Sequence, residues 1–234
     1  MIDYMKKLMI LWAACLLALP TFAQHEASSS SIYTSSNGVF SFGMASHVSW
    51  GYDFVKSDDF KPRGGGELML NALGLKIYPS EYFGIETGLD CKWQYFGTRE
   101  NEFYLEGADR LPKAVSWPAP GLGKADRHGS SLGAFSLSVP VLARVYLGKT
   151  WIGGGAEANF NLTAYTEDVI ERDNVRTDVS MTKGRVNRFT YDFVGMLGYK
   201  DFALFAKFYP KNSRFVPDGG VKFDYWTLGI SLFL

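Results

Sequence analysis

Nine ionisable side chains occur at alternate positions within runs of the chain that are otherwise apolar or small. They are Asp53, Lys76, Glu86, Asp90, Lys92, Arg144, Glu157, Asp192 and Lys207. Five are acidic and four are basic, so they can pair with one another if the fold brings them together. Such a set can line an ion channel, hold a catalytic carboxylate at a shifted pKa, or form a structural ion network. The elements that carry these residues decide between the three.

A second group, Asp126, His128, Ser130 and Ser131, has the residue types of a hydrolytic nucleophile and its base. A lipid hydrolase or acyltransferase with its site at the rim of a membrane barrel would need such a group. Short polar clusters of this kind are also ordinary loop chemistry. We therefore predict no catalytic residue and keep a lipid-modifying enzyme as an alternative.

Motifs for metals and cofactors are lacking in the sequence. The three histidines have no spacing typical of a zinc site. The glycines at 64–66 precede no helix that could bind a phosphate. Cys91 is the only cysteine beyond residue 23, so we expect no internal disulfide and interpret this thiol as a small apolar filler. The sequence predicts neither a cofactor nor a metal site.

Apolar and polar residues alternate with a period of two in eight runs, as they do in strands that have one apolar face. In the third run, Ile85 and Trp93 share one face, whereas Glu86 and Asp90 lie on the other. The eight runs are 40–54, 67–78, 83–96, 132–147, 152–164, 189–199, 202–208 and 225–234. This pattern predicts an all-β chain.

The connections between the runs alternate in length. Three are short, at 79–82, 148–150 and 200–201, and four are long, at 55–66, 97–131, 167–188 and 210–221. Strict alternation indicates an up-and-down meander that has a short-turn rim and a long-loop rim. Outer-membrane barrels have an even number of strands, short periplasmic turns and long outer loops.

The orientation of the two faces follows from the cost of burying charge in the wrong solvent. A lysine or arginine facing lipid near the bilayer midplane costs about 2–4 kcal/mol. We therefore place the nine charged residues inside and the apolar faces outside, including Ala164 in the fifth run. An eight-stranded barrel is just wide enough to be filled by its side chains, so a structural network in a plugged lumen is favoured over a channel. The predicted fold is an eight-stranded antiparallel up-and-down transmembrane β-barrel.

Aromatic residues flank the aliphatic band at both ends, as expected at the two interfaces of a bilayer. Near the long-loop rim they are Trp50, Tyr52, Phe54, Trp93, Tyr95, Tyr191 and Trp226; near the short-turn rim they are Tyr82, Phe83, Trp151, Tyr199 and Phe202. A soluble barrel with its aliphatic face inside would not explain these belts.

The first 23 residues are typical of a cleavable signal peptide. Lys6 and Lys7 precede an apolar run at 8–19, which is too short to span a membrane as a helix. We expect a signal peptide at 1–23, a periplasmic N-terminal segment at 24–37 and the barrel at 38–234. Export of a barrel predicts residence in the outer membrane. Basic and acidic residues number 24 each, so no charge bias points to nucleic acid.

Two stretches resemble the PorT-like outer-membrane β-barrel family. The stretch 137–146 (LSVPVLARVY) is similar to a family strand that has a mid-strand proline followed by a basic residue. The glycine-rich stretch 151–155 (WIGGG) looks like its partner. The resemblance implies residence in the outer membrane, and some relatives are similar to components of a secretion apparatus. Because proline removes a ladder donor, we expect a bulge or kink at Pro140.

These observations favour a non-enzymatic outer-membrane barrel with a surface-interaction or secretion and assembly role. The partners we expect are outer-membrane lipid and, through the long loops 97–131 and 167–188, another protein. Aromatic residues in the first of these loops predict some packing, whereas the mixed charge of the second predicts a solvated, mobile segment. Besides the lipid-modifying enzyme, a soluble secreted barrel that binds a small apolar ligand stays as an alternative.

Overall fold

The computed structural model describes residues 32–35, 38–43, 47–117, 127–172 and 175–233. The predictions for the signal peptide 1–23, for most of the segment 24–37 and for Asp126 fall outside the described residues. No helix in the described ranges is long and apolar enough to cross a membrane.

Thirteen strands form in the described residues. They are β1 (Ile32–Ser35), β2 (Gly38–Gly43), β3 (His47–Lys56), β4 (Pro62–Ser80), β5 (Phe83–Thr98), β6 (Asn101–Glu106), β7 (Leu111–Ser116), β8 (Arg127–Leu147), β9 (Thr150–Arg172), β10 (Val175–Gly184), β11 (Phe189–Tyr199), β12 (Phe202–Phe208) and β13 (Asp224–Phe233).

Eight of these strands close into one antiparallel ring. In order around the ring they are β4, β3, β13, β12, β11, β9, β8 and β5, and β5 pairs back onto β4. The last ring strand joins the first through pairs such as Trp50 with Ile230. Each ring strand therefore neighbours the ring strands that precede and follow it in the chain. The prediction of an eight-stranded antiparallel up-and-down barrel is confirmed.

The first predicted strand, 40–54, is divided into two. β3 pairs with the half of β4 at residues 65–70, and β2 pairs with the half at 74–78. β1 forms a hairpin with β2 at the short-turn rim. A strand therefore occupies part of the 24–37 segment, where the sequence pattern predicted none.

No bulge forms at Pro140, where we expected a bulge or kink. Its strand stays in register with β9, from Val139 opposite Ala158 to Val141 opposite Ala156. The register shift between β8 and β9 lies instead at Phe135 and Ser136. On the other side, β5 pairs with Val141 and next with Ser138, so the ladder is interrupted where proline has no N–H to donate.

The long connections are largely structured. The 97–131 connection contains the β6–β7 hairpin, and the 167–188 connection contains β10, which continues the ladder of β9 outward. The β10 side chains are mostly exposed, so the segment is solvated, but it is a strand rather than an irregular loop. Residues 209–223 form turns, and several of their side chains are buried.

Candidate functional site

The outer face of the ring is apolar. On β8, Val139, Val141, Val145 and Leu147 are exposed, Val141 to 57%. Other exposed large apolar side chains on the ring include Trp50, Phe54, Ile152, Phe160, Leu162, Phe193, Leu197, Leu204, Phe208, Trp226, Leu228, Ile230 and Leu232. Soluble monomers rarely expose a contiguous apolar surface of this extent.

The inner face of the ring carries the charges. Eight of the nine ionisable residues singled out from the sequence are buried, and they are Asp53, Glu86, Asp90, Lys92, Arg144, Glu157, Asp192 and Lys207. The ninth, Lys76, is partly buried, and its ammonium lies 5.6 Å from the centre of the Phe233 ring. The polarity of this barrel is therefore the reverse of that of a soluble globular protein.

Five of the buried charges form a central cluster, which consists of Glu67, Lys92, Glu157, Asp192 and Lys207. Lys207 Nζ lies 2.8 Å from Glu67 Oε1 and 2.7 Å from Glu157 Oε2. Lys92 Nζ lies 3.2 Å from Glu67 Oε2 and 3.3 Å from Asp192 Oδ2. Glu67 thus contacts both lysines, and the cluster joins β4, β5, β9, β11 and β12 across the lumen.

Neutral polar groups complete the contacts of the buried carboxylates. The Tyr209 hydroxyl donates to Glu67 Oε2 at 2.7 Å. Asp53 accepts from the Thr227 hydroxyl at 2.5 Å and from Gln94 Nε2 at 3.4 Å. Because an unpaired charge in a narrow lumen is costly, these donors add to the lysine contacts of Glu67 and stabilise Asp53, which forms no ion pair with a lysine of the described residues.

A second group of charges lies nearer the short-turn rim. Arg144 forms an ion pair with Glu86. His47 Nε2 lies 3.5 Å from Asp90 Oδ2, and Asn71 Nδ2 donates to Asp90 Oδ1 at 2.7 Å. Each carboxylate of this group therefore faces a cation, a histidine or an amide donor.

Trp151 was predicted in the outer aromatic belt, and this is wrong. Its side chain is buried, with the Arg144 guanidinium 4.1 Å from the ring and its indole N–H donating to the Lys200 carbonyl. Gly198 leaves room for the ring, since a Cβ there would lie 1.9 Å from it. Trp151 precedes the outward Ile152, so strand alternation itself turns it inward.

Two register irregularities explain two further differences from the sequence pattern. An extra residue between Asn71 and Leu73 on β4 reverses the alternation. Glu67 therefore lies inside, whereas strict alternation counted back from Leu73 would place it outside. A similar shift on β9 turns Ala164 inward, where it is fully buried, contrary to the prediction. Period-two counting cannot locate such bulges, although the charge of Glu67 was a signal for an inward position.

The lumen is closed at its long-loop end by a cap of buried apolar side chains, several of which come from the loops. The cap consists of Phe60, Phe96, Phe103, Leu132, Ala134, Ala164, Tyr209, Phe215, Val216, Val221, Phe223 and Tyr225. Below it, the cavity between His47, Met69 and Lys207 has a volume of about 20 Å³. That is room for roughly one water molecule.

In the described part of the polar group around His128, the histidine and Ser130 each contact other residues. His128 Nδ1 lies 3.0 Å from the Arg99 carbonyl, and the imidazole stacks on Trp117 at 4.3 Å. The Ser130 hydroxyl accepts from the Phe103 backbone N–H at 2.8 Å. These contacts give the histidine and the serine structural partners at the outer end of β8.

Asp168 is the buried carboxyl of the outer part of β9. Burial raises the pKa of Asp168 to about 6, and its hydrogen bond with Ser130 opposes that shift. A carboxyl with this pKa changes charge under mildly acidic conditions. Among the described residues, no group of three or more metal-ligating side chains could hold a metal ion.

The fold and the site define a small closed β-barrel that has an apolar exterior, an ionic interior and a capped outer end. No protein-family model matches the chain, and no curated protein matches it. Among solved structures, it is similar to Ail, the attachment invasion locus protein of Yersinia pestis, in a complex with the heparin analogue sucrose octasulfate. The identity is 12%, the TM-score is 0.36, and the match covers 85% of this chain and 99% of that one. A second structure of Ail matches at 13% identity and a TM-score of 0.33, with the same coverage.

Proposed function

We propose that the chain is an outer-membrane β-barrel that anchors a structured loop platform at the cell surface and has no enzymatic activity. The observation that supports this is the inverted polarity of the ring, in which Val141 and Ile230 are exposed while Glu86 and Arg144 are buried. Closure of the ring pairs the backbone groups of its strands, as hydrocarbon requires. A signal peptide at 1–23 would direct export.

The dimensions of the ring fit an outer membrane. β11 has eleven residues, and at about 3.4 Å per residue and a tilt near 40° it rises roughly 25 Å, which is the height of the apolar band in such barrels. The short turns would face the periplasm and the long connections the outside. Outer-membrane lipid would then contact the apolar face.

The structured connections 97–131 and 167–188 and the closed lumen favour a binding role over transport or catalysis. The cap closes the long-loop end of the lumen, and the cavity of about 20 Å³ is far below the roughly 300–1,000 Å³ of ligand pockets. A small apolar ligand has no space in this lumen, and His128 and Ser130 form hydrogen bonds with the backbone of Arg99 and Phe103. The connections 97–131 and 167–188, held on a rigid ring, are the surfaces through which we expect a protein partner to bind. We further propose that the chain belongs to the PorT-like family and takes part in secretion or assembly.

Val141→Arg tests the membrane orientation. Val141 lies midway along the apolar stretch of β8, so arginine there would cost about 2–4 kcal/mol of unfolding free energy in lipid vesicles. The measurement is a urea titration of the refolded barrel, read by the gel mobility of unheated samples. Val141→Leu is the control and should change the unfolding free energy little. A mature chain that stays folded and monomeric in water without detergent would contradict the proposal.

A further inference from the structure

Among the described strands, β10 pairs along one edge only. In the described part of the chain, its only ladder is with β9, from Val175 opposite Arg172 to Met181 opposite Thr166. These seven paired residues correspond to a ribbon roughly 20 Å long. Natural edge strands are usually blunted by charged side chains, especially lysine, by proline or by a bulge. Residues 175–181 contain no lysine or proline, the register shift comes only after Met181, and the two charged residues, Arg176 and Asp178, have opposite signs.

The sequence of this edge is self-complementary. Residues 175–179 read Val-Arg-Thr-Asp-Val. When two copies pair antiparallel around Thr177, Val175 lies opposite the second copy's Val179, and Arg176 lies opposite the second copy's Asp178. Opposite charges directly across an antiparallel pair stabilise it, and like charges destabilise it.

Other registers lose this match. A shift that centres the pairing on Asp178 places two aspartates opposite each other, and centring it on Arg176 places two arginines together. A register shift by one residue places a valine opposite a charged side chain. It also puts the charged face of one ribbon on the same side of the sheet as the valine face of the other. Parallel, in-register pairing places Arg176 on Arg176 and Asp178 on Asp178. The charges therefore specify one register and one direction.

The pairing extends the charge pattern that each ribbon already contains. Within one chain, Arg176 lies across from Glu171 on β9 and donates to Asp178 at 2.9 Å. In the paired form, Glu171, Arg176 and the second copy's Asp178 lie side by side on one face of the sheet. Their charges alternate in sign across these three strands. The opposite face brings together Val175 and Val179, which are exposed at 65% and 41% in the single chain.

We infer that β10 is a homotypic contact site, at which two copies in facing membranes join their projecting ribbons, each formed by the outer ends of β8 and β9 and by β10, into one six-stranded sheet centred on Thr177. This inference rests on the proposed surface location. β9 runs without interruption from the ring to Arg172, so the ribbon projects from the long-loop rim. Two copies in one bilayer are related by a two-fold axis along the membrane normal. Their projecting β10 strands would therefore run parallel. Copies in opposed membranes meet with their ribbons antiparallel, as the charges require.

The test is capture between two populations of phospholipid vesicles that carry the refolded chain, one biotinylated and one fluorescent. Bead-bound vesicles should retain fluorescent vesicles when both carry the wild type. When both carry Arg176→Asp, or both carry Asp178→Arg, retention should fall by about tenfold or more, because two opposite-charge pairs become two like-charge pairs.

Charge-swap pairing is the decisive measurement. Vesicles carrying Arg176→Asp should capture vesicles carrying Asp178→Arg, since both cross-strand pairs then again join opposite charges. The double variant Arg176→Asp/Asp178→Arg should capture itself. Barrel insertion is checked in each sample by the heat-dependent gel mobility of the protein. Inserted barrels that fail to capture one another, or capture that the charge reversals leave unchanged, would overturn the inference without touching the membrane assignment. Equal capture of empty vesicles would show binding to lipid and would also overturn it.

Discussion

Lys207 is the cation on which the central cluster depends most. Its ammonium contacts Glu67 at 2.8 Å and Glu157 at 2.7 Å, and its side chain is 1% exposed. Lys207→Met keeps the length of the side chain and removes the charge. Glu67 would keep Lys92 at 3.2 Å, but Glu157 would lose its closest cation.

Removing one partner of a buried pair costs about 3–5 kcal/mol, because an uncompensated charge is left behind. For Lys207→Met, this corresponds to roughly two to four orders of magnitude in the unfolding equilibrium. We expect a loss of this size in urea titrations of the barrel in lipid vesicles. Lys207→Met/Glu157→Gln should regain at least half of the lost free energy, since the amide no longer carries the charge that lacked a partner.

Lys61→Met is the matched control. Lys61 pairs with Glu100 on the surface, and both side chains are mostly exposed. Exposed pairs contribute about 0–1 kcal/mol, so this variant should unfold much like the wild type. If Lys207→Met also cost less than about 1 kcal/mol, the cluster would be hydrated rather than enclosed, and the argument for a plugged ionic lumen would fail.

Two further predictions concern packing and pH. Gly155→Ala should lower the unfolding free energy by about 1–3 kcal/mol, because the added Cβ would lie 2.0 Å from the Val141 carbonyl oxygen. Gly195→Ala is the control and should change the unfolding free energy little, because a Cβ there would meet open space. Equal effects of the two variants in urea titrations would refute the steric explanation. The pKa of Asp168 is raised from 3.8 to about 6, so the folded state holds this proton more tightly and local stability should fall as the pH rises from about 4 to 6. Asp168→Asn should therefore slow amide exchange in the outer part of β9 at pH 7.5 and have little effect at pH 4; slower exchange at both pH values would argue against titration of this carboxyl.

The ring itself was predictable from the chain because alternation and loop length report directly on strands and their connections. Ile85 and Glu86 lie on opposite faces whatever the details of the barrel, since a strand turns successive side chains to opposite sides. The same reasoning placed eight of the nine charged residues at positions that are buried in the structure. Those residues lie in stretches where the alternation is regular.

The differences arise where the alternation is interrupted. Glu67 precedes the register shift on β4, and Ala164 follows the one on β9. In each case one inserted residue exchanges the inward and outward positions between the two sides of the shift. Trp151 shows another limit, because its aromatic type suggested an interface, whereas the space beside Gly198 and the Arg144 guanidinium hold it inside. Pro140 had a clear local reason to distort its strand, yet the register across it is continuous.

The sequence by itself determined the number of ring strands, their up-and-down order and which face of most of them is charged. These follow from local alternation and from the lengths of the connections. The tertiary structure decided which charges meet, as when Lys207 contacts Glu67 from a strand 140 residues away. It also decided that the long connections form a cap and an open ribbon. Both depend on ring closure, which sets distances between residues far apart in the chain, and no local pattern encodes those distances.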